Sequence, residues 1–178
     1  MRGKELAQQG PPLIWRVLGG AGITHAITLA GVATTEARAG VVADLAAGLM
    51  AIGMGGGRFP PRFSIEVLVE MAGAPVAGET VELWWAPSKD GLVFPGGVTG
   101  VDEDWQAGDE AEFKAQLLHV GSVILSADAH PVAQIGNFVF DPPYRYGCPV
   151  LVNTSAQGLQ NDDNEHRLTF TPVVREAP

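Results

Sequence analysis

Along most of the chain, apolar residues recur at every second position in short runs closed by turn residues, which is the period of a half-buried β-strand. In 63–70, "FSIEVLVE", Phe63, Ile65, Val67 and Val69 share one face while Ser64, Glu66 and Glu70 share the other. The run "GETVELWWAPS" follows after a turn around Pro75 to Gly78, and this succession predicts a hairpin of the two. Further strands are predicted in "ITHAITLAGV" from Ile23, "EFKAQLLHVGSVILSA", "VAQIGNFVF", "PVLVNTS" and "HRLTFTPVV". In the last, Leu168 and Phe170 face inward and Arg167, Thr169 and Thr171 outward. About seven to nine short strands with frequent turn signals predict an all-β fold, an antiparallel jelly-roll-like β-sandwich.

Three stretches break this pattern. In "VELWWAPS", Val81, Leu83 and Trp85 share one face, which leaves Trp84 on the opposite, polar one. An aromatic there is either capped by a neighbouring loop or used between subunits. Residues 1–20 read as an N-terminal arm: polar to Gly10, then the stiff Pro11-Pro12 pair, an apolar "LIWRVL" and a Gly19-Gly20 break. Leu13, Ile14 and Trp15 in such an arm must dock somewhere. Residues 88–111 form a long acidic loop that also holds Phe94 and Trp105, and loops of that size tend to be functional. Residues 36–54 fit an amphipathic helix as well as strands, although Gly40 and Gly48 weaken the helix.

Composition agrees with the β reading. With 178 residues, the chain is long enough for one well-buried domain, placed at 21–178. Its 23 Gly and 13 Pro favour turns over long helices. A net charge of −9 with scattered Lys and Arg excludes nucleic acid as an expected partner. The polar N-terminus lacks a signal-peptide core, and no apolar run approaches the roughly 20 residues of a membrane helix. A soluble protein made in a cytoplasm, with no membrane partner, is therefore expected.

Candidate chemistry is sparse. Asp102, Glu103 and Asp104 cluster in the long loop, and Asp162, Asp163 and Glu165 before the last strand. Either set offers oxygen ligands for a hard cation, but neither has the spacing of a calcium loop, and acids are ordinary in turns. His25, His119, His130 and His166 show no metal-ligand spacing. His166 beside Glu165 is read as a strand-edge histidine satisfied by a backbone carbonyl in preference to half of an acid/base pair. Cys148 is the only cysteine, so it forms no intrachain disulfide and reads as a buried small hydrophobe. There is no G-x-S-x-G nucleophile motif, and "GMGGGR" at 53–58 lacks the Lys-Ser/Thr of a phosphate loop. Asn153-Thr154-Ser155 is formally a glycosylation sequon. No catalytic residue, metal or cofactor is expected.

The segments "VELWWAPS", "PGGVTGVD", "VGSVILSAD", "QIGNFVFDPPYRYGCPVLVNTSAQGL" and "DDNEHRLTFTPVVRE" resemble small virion structural proteins of tailed bacteriophages. The resemblance spans about residues 61–176 and is carried by Tyr144-Arg145-Tyr146-Gly147, "LVNTSAQGL" and "NEHRLTFTPV". It implies a non-enzymatic capsid decoration or cement protein on the capsid exterior, clamping neighbouring copies of the major capsid protein. A homotrimer is the expected oligomer, a dimer the runner-up. On this reading Leu13, Ile14 and Trp15 bind the capsid, while Trp84, Trp105 and Phe94 join subunits. Deleting residues 1–18 is then expected to abolish capsid binding and leave the β domain folded. Two other classes remain: a tail- or fibre-associated carbohydrate-binding module using exposed tryptophan, and a polysaccharide hydrolase using acids of the 102–112 region.

Overall fold

The computed structural model describes residues 7–9, 11–17, 23–47, 59–105 and 110–175. Two packed sheets form the sandwich. In the first, β10 (Ala133–Phe140), β6 (Phe63–Glu70), β12 (Arg167–Arg175), β2 (Leu13–Trp15) and β3 (Ile23–His25) lie side by side, and β1 (Ala7–Gln9) also pairs with β12. In the second, the order is β8 (Glu103–Asp104), β4 (Ala37–Ala39), β11 (Tyr146–Asn153), β7 (Thr80–Ser88) and β9 (Leu118–Ile124), with β5 (Ala43–Asp44) on the start of β11. Among the described residues only the β2–β3 contact is parallel.

Among the principal strands β2, β4, β6, β7, β9, β10, β11 and β12, the first sheet takes the first, eighth, third and sixth in spatial order. The second takes the second, seventh, fourth and fifth. That interleaving is the double Greek key of a jelly roll, so the expected class stands. It also corrects the expected hairpin: β6 and β7 belong to opposite sheets, β6 pairing with β10 and β12 and β7 with β11 and β9. The 71–79 connection therefore crosses between layers, and the apolar faces of β6 and β7 belong to sheets packed against each other.

Between the sheets the alternation works as read. Phe63, Ile65, Val67, Val69, Val81, Leu83, Trp85, Leu168 and Phe170 are all fully buried in one cluster. Trp15 and Trp85 meet edge to face at 5.9 Å, with Phe170 at 4.8 and 5.3 Å from them respectively. Gly147 makes room for Trp85, since a Cβ there would lie 2.4 Å from its ring.

The N-terminal segment is not a free arm where it is described. Ala7 pairs with Arg175 and Leu13 with Phe170, so β1 and β2 run along β12 as an interrupted strand, with β3 outside β2. Leu13 and Trp15 are fully buried, and the Trp15 indole donates to the Val41 carbonyl at 2.7 Å. Residues 1–6, 10 and 18–20 of the expected arm lie outside the described residues. In the ambiguous 36–54 stretch, β4 and β5 replace the helix over its first part, and 48–54 lie outside the described residues, as does the glycine run to residue 58. Among the described residues no helix is long and apolar enough to cross a membrane.

A second core covers the other face of the second sheet. Ala37, Ala39, Ala86, Cys148, Val150 and Val152 from β4, β7 and β11 pack under Val98, Trp105 and Leu117, with Trp84, Phe94 and Phe113 partly buried against them. Residues 94–105 and 110–117, the latter with the short helix α1 (Glu110–Lys114), thus roof part of a sheet face that would otherwise be wet. Tryptophans lie on both faces of β7 because both faces are covered.

Candidate functional site

The residues named for binding separate by burial. Leu13 and Trp15 are core residues, which corrects their assignment to a capsid-binding arm: a side chain at 0% exposure has no surface to offer. Ile14 is half-buried, in register with Thr169 and Thr24. Trp105, expected at a subunit interface, is buried in the second core and its indole donates to the Gly96 carbonyl at 2.8 Å. Phe94 is half-buried beside it.

Trp84 keeps a partly open face. Its indole donates to Glu82 at 2.9 Å, the Lys114 ammonium sits 5.6 Å from the ring centroid, and the His119 ring lies at 4.7 Å. Lys114 also pairs with Glu82 at 3.0 Å. Burial raises the pKa of Glu82, but the bonds from Trp84 and Lys114 outweigh it and leave the carboxyl below its ordinary value. Trp84, Lys114, Leu118, His119, Phe140 and Asp141 line an open groove of about 650 Å³. An aromatic ring beside a cation, an imidazole and a carboxylate is chemically suited to stacking and hydrogen-bonding a polar ring ligand.

Four acids of the two clusters, Asp102, Glu103, Asp104 and Asp162, serve structure. Asp102 accepts from Thr28 N at 3.0 Å, Thr28 Oγ1 at 2.6 Å and Arg38 Nε at 2.9 Å, tying the long loop to β4 and to the 26–36 connection. Burial raises its pKa, yet these donors win and hold it below the ordinary carboxylate value. Asp104 pairs with the same Arg38, and Glu103 accepts from Thr99. Asp162 caps a short 3-10 turn by accepting from Asn164 N at 3.0 Å.

Other motifs resolve in the same way. His166 is buried, its Nε2 donating to the Gln160 carbonyl at 2.8 Å and its Nδ1 accepting from Glu70 N at 3.3 Å, so it is the backbone-satisfied histidine expected. Burial, with a contribution from Glu103, pushes the Cys148 thiol up to about 12. Asn153 is fully buried: its amide donates to the carbonyls of Ala33 and Gln157 at 3.2 and 2.8 Å, and its Oδ1 accepts from Ser155. The sequon is therefore closed to glycosylation in the folded chain. Arg145 of the Tyr-Arg-Tyr-Gly turn makes a two-bond pair with Asp44 at 2.7 and 2.5 Å.

Two features were missed by reading along the chain. At the end of the sandwich near residues 88–95, Leu92 and Val93 are 81% and 72% exposed. Val93 and Tyr144 line a shared cleft, with Lys89 5.3 Å over the Tyr144 ring. Two adjacent exposed aliphatics beside such a cleft are a candidate contact surface. At the opposite end, Glu70, His130 and Glu165 bring their ligand atoms within 4.8 Å of one another. They come from the end of β6, the β9–β10 connection and the turn before β12, so no local spacing announces them.

No protein-family model matches the chain, and no curated protein sequence matches it significantly.

Proposed function

We propose that the protein is a non-enzymatic structural component of a tailed-bacteriophage virion, a decoration or cement protein. It would be made in the host cytoplasm and bind the capsid exterior, clamping neighbouring major capsid subunits. The single observation that carries this reading is the apolar tip of Leu92, Val93 and Tyr144, which replaces the arm as the surface offered to a partner. The resemblance over 61–176 supports the same role. A homotrimer, with a dimer as the alternative, multiplies a weak contact of this size by presenting it several times to a symmetric shell. Binding only the assembled shell then stabilises it by mass action.

Co-sedimentation of the purified chain with assembled heads tests the role. The expected result is a fixed copy number per capsid that matches a class of symmetry axes. The Leu92→Asp/Val93→Asp double variant changes only exposed side chains, and its sedimentation with heads is expected to fall at least tenfold. No sedimentation of the unaltered chain overturns the decoration role; undiminished sedimentation of the variant overturns the assignment to the tip.

The groove beside Trp84 favours a second reading, a tail- or fibre-associated module that binds a glycan of the host surface. A glycan array with the unaltered chain and Trp84→Ala decides it: a hit lost in the variant supports sugar binding, and no hit removes it.

A further inference from the structure

We propose that Glu70, His130 and Glu165 bind one divalent transition-metal ion of the zinc or manganese type. The argument starts from how the three segments are held. His130 N donates to the Met71 carbonyl at 2.9 Å, Gln160 N to the Glu70 carbonyl at 2.9 Å, and Glu70 N to His166 Nδ1 at 3.3 Å. Backbone bonds therefore fix the β6 end, the β9–β10 connection and the segment before β12 against one another, independently of the three side chains.

Onto this frame the side chains converge with too few protons. His130 Nδ1 lies 2.7 Å from Glu70 Oε2 and 3.1 Å from Glu165 Oε2. One ring nitrogen carries at most one hydrogen, and the shorter contact to Glu70 takes it. Glu165 Oε2 is then shut off from water with no hydrogen-bond donor of its own. Leaving a carboxylate oxygen buried and unserved is costly, and a second carboxylate beside it adds repulsion. A divalent cation removes both problems, because it binds the two oxygens at once and takes the lone pair of the deprotonated nitrogen.

The donor set selects the ion. Calcium and magnesium prefer shells made of oxygen alone, whereas imidazole with carboxylates suits zinc, manganese or iron. Coordination at about 2.0–2.2 Å requires the imidazole to move outward by a few tenths of an ångström. His130 can do so: its side chain is 39% exposed, against 11% for Glu70. The exposed side leaves room for water as a fourth ligand, so the ion would act as a staple across three connections at one end of the jelly roll.

The test is titration of the full, untagged, chelator-treated chain with Zn²⁺ and Mn²⁺, and separately with Mg²⁺ and Ca²⁺, by calorimetry and thermal unfolding. One Zn²⁺ or Mn²⁺ per chain is expected, with a rise in Tm of about 5–10 °C at a hundredfold excess over Kd. Co²⁺ should give a visible absorption band. Glu165→Gln keeps the size of the side chain and His130→Gln alters an exposed one; each should weaken binding by roughly two orders of magnitude. No transition-metal binding by the unaltered chain at 100-fold over protein in about 0.1 mM solution overturns the proposal. So does binding that survives both substitutions, or a shift produced by Ca²⁺ or Mg²⁺ alone.

Discussion

Both faces of the second sheet carry a buried core, yet the two are built by different means. The inner face meets another sheet, and its residues Val81, Leu83 and Trp85 interdigitate with strands that have the same two-residue period. The outer face meets an irregular segment, and its cover of Val98, Trp105 and Leu117 has no period at all. Neighbouring tryptophans show the contrast directly. Trp85 is enclosed by aromatic rings and its indole nitrogen is buried without an acceptor, whereas Trp105 and Trp84 each donate to an oxygen within their own loop or strand. The core between the sheets is thus held mainly by packing, with the Trp15 indole bonded to the Val41 carbonyl, whereas the loop that covers the outer face is also tied down by specific polar bonds, the Arg38–Asp102 latch among them.

The largest expected effect comes from removing residues 1–17. This takes β2 out of the first sheet and Leu13 and Trp15 out of the inner core, so the truncated chain should show no cooperative unfolding transition by circular dichroism. A folded truncation would mean that the inner core closes without β2 and that residues 1–17 are an arm after all.

Next come single truncations in the two cores. Trp85→Ala should cost about 4 kcal/mol of unfolding free energy in a denaturant titration, and Trp105→Ala about 3 kcal/mol. Their local consequences should differ more than their sizes. Cys148 lies under the second core, and its high pKa and burial make it inert to a thiol reagent in the native chain. Trp105→Ala should open it to modification in native buffer, while Trp85→Ala, under conditions where it remains folded, should not. Equal reactivity in the two variants would show that the cores open as one unit.

A smaller effect is expected from the latch. The pKa of Asp102 is depressed in the folded chain, so its contribution is fully present above the unfolded aspartate value of about 3.9 and is lost as pH falls through the lower folded value. Asp102→Asn should destabilise the chain by about 1–2 kcal/mol at pH 7 and flatten the fall in stability below about pH 4. The smallest effect belongs to Trp84→Ala. That ring is half open, and a loss of about 1 kcal/mol is expected, measured by the same titration. A loss as large as that of Trp105→Ala would place Trp84 among the supports of the second core.

Read along the chain, strands with one polar and one apolar face declare themselves, because their chemistry repeats every second residue and depends only on which side is wet. Phe63, Ile65, Val67 and Val69, and likewise Leu168 and Phe170, could be assigned inward without knowing their neighbours, and together they determined an antiparallel sandwich. Cys148 as a buried hydrophobe and His166 as a backbone-bonded histidine followed from residue type in the same way. The pairing of strands did not. Whether β6 and β7 form a hairpin or cross between sheets leaves their alternation unchanged, and only the competition of β10, β12, β11 and β9 for their edges decided it. Leu13 and Trp15 looked like a docking arm for a related reason: a three-residue strand has too little pattern to reveal that its partner lies more than 150 residues further on. Separation in sequence likewise hid the meeting of Glu70, His130 and Glu165, since convergence of side chains from three connections is a property of the closed jelly roll and of no segment within it.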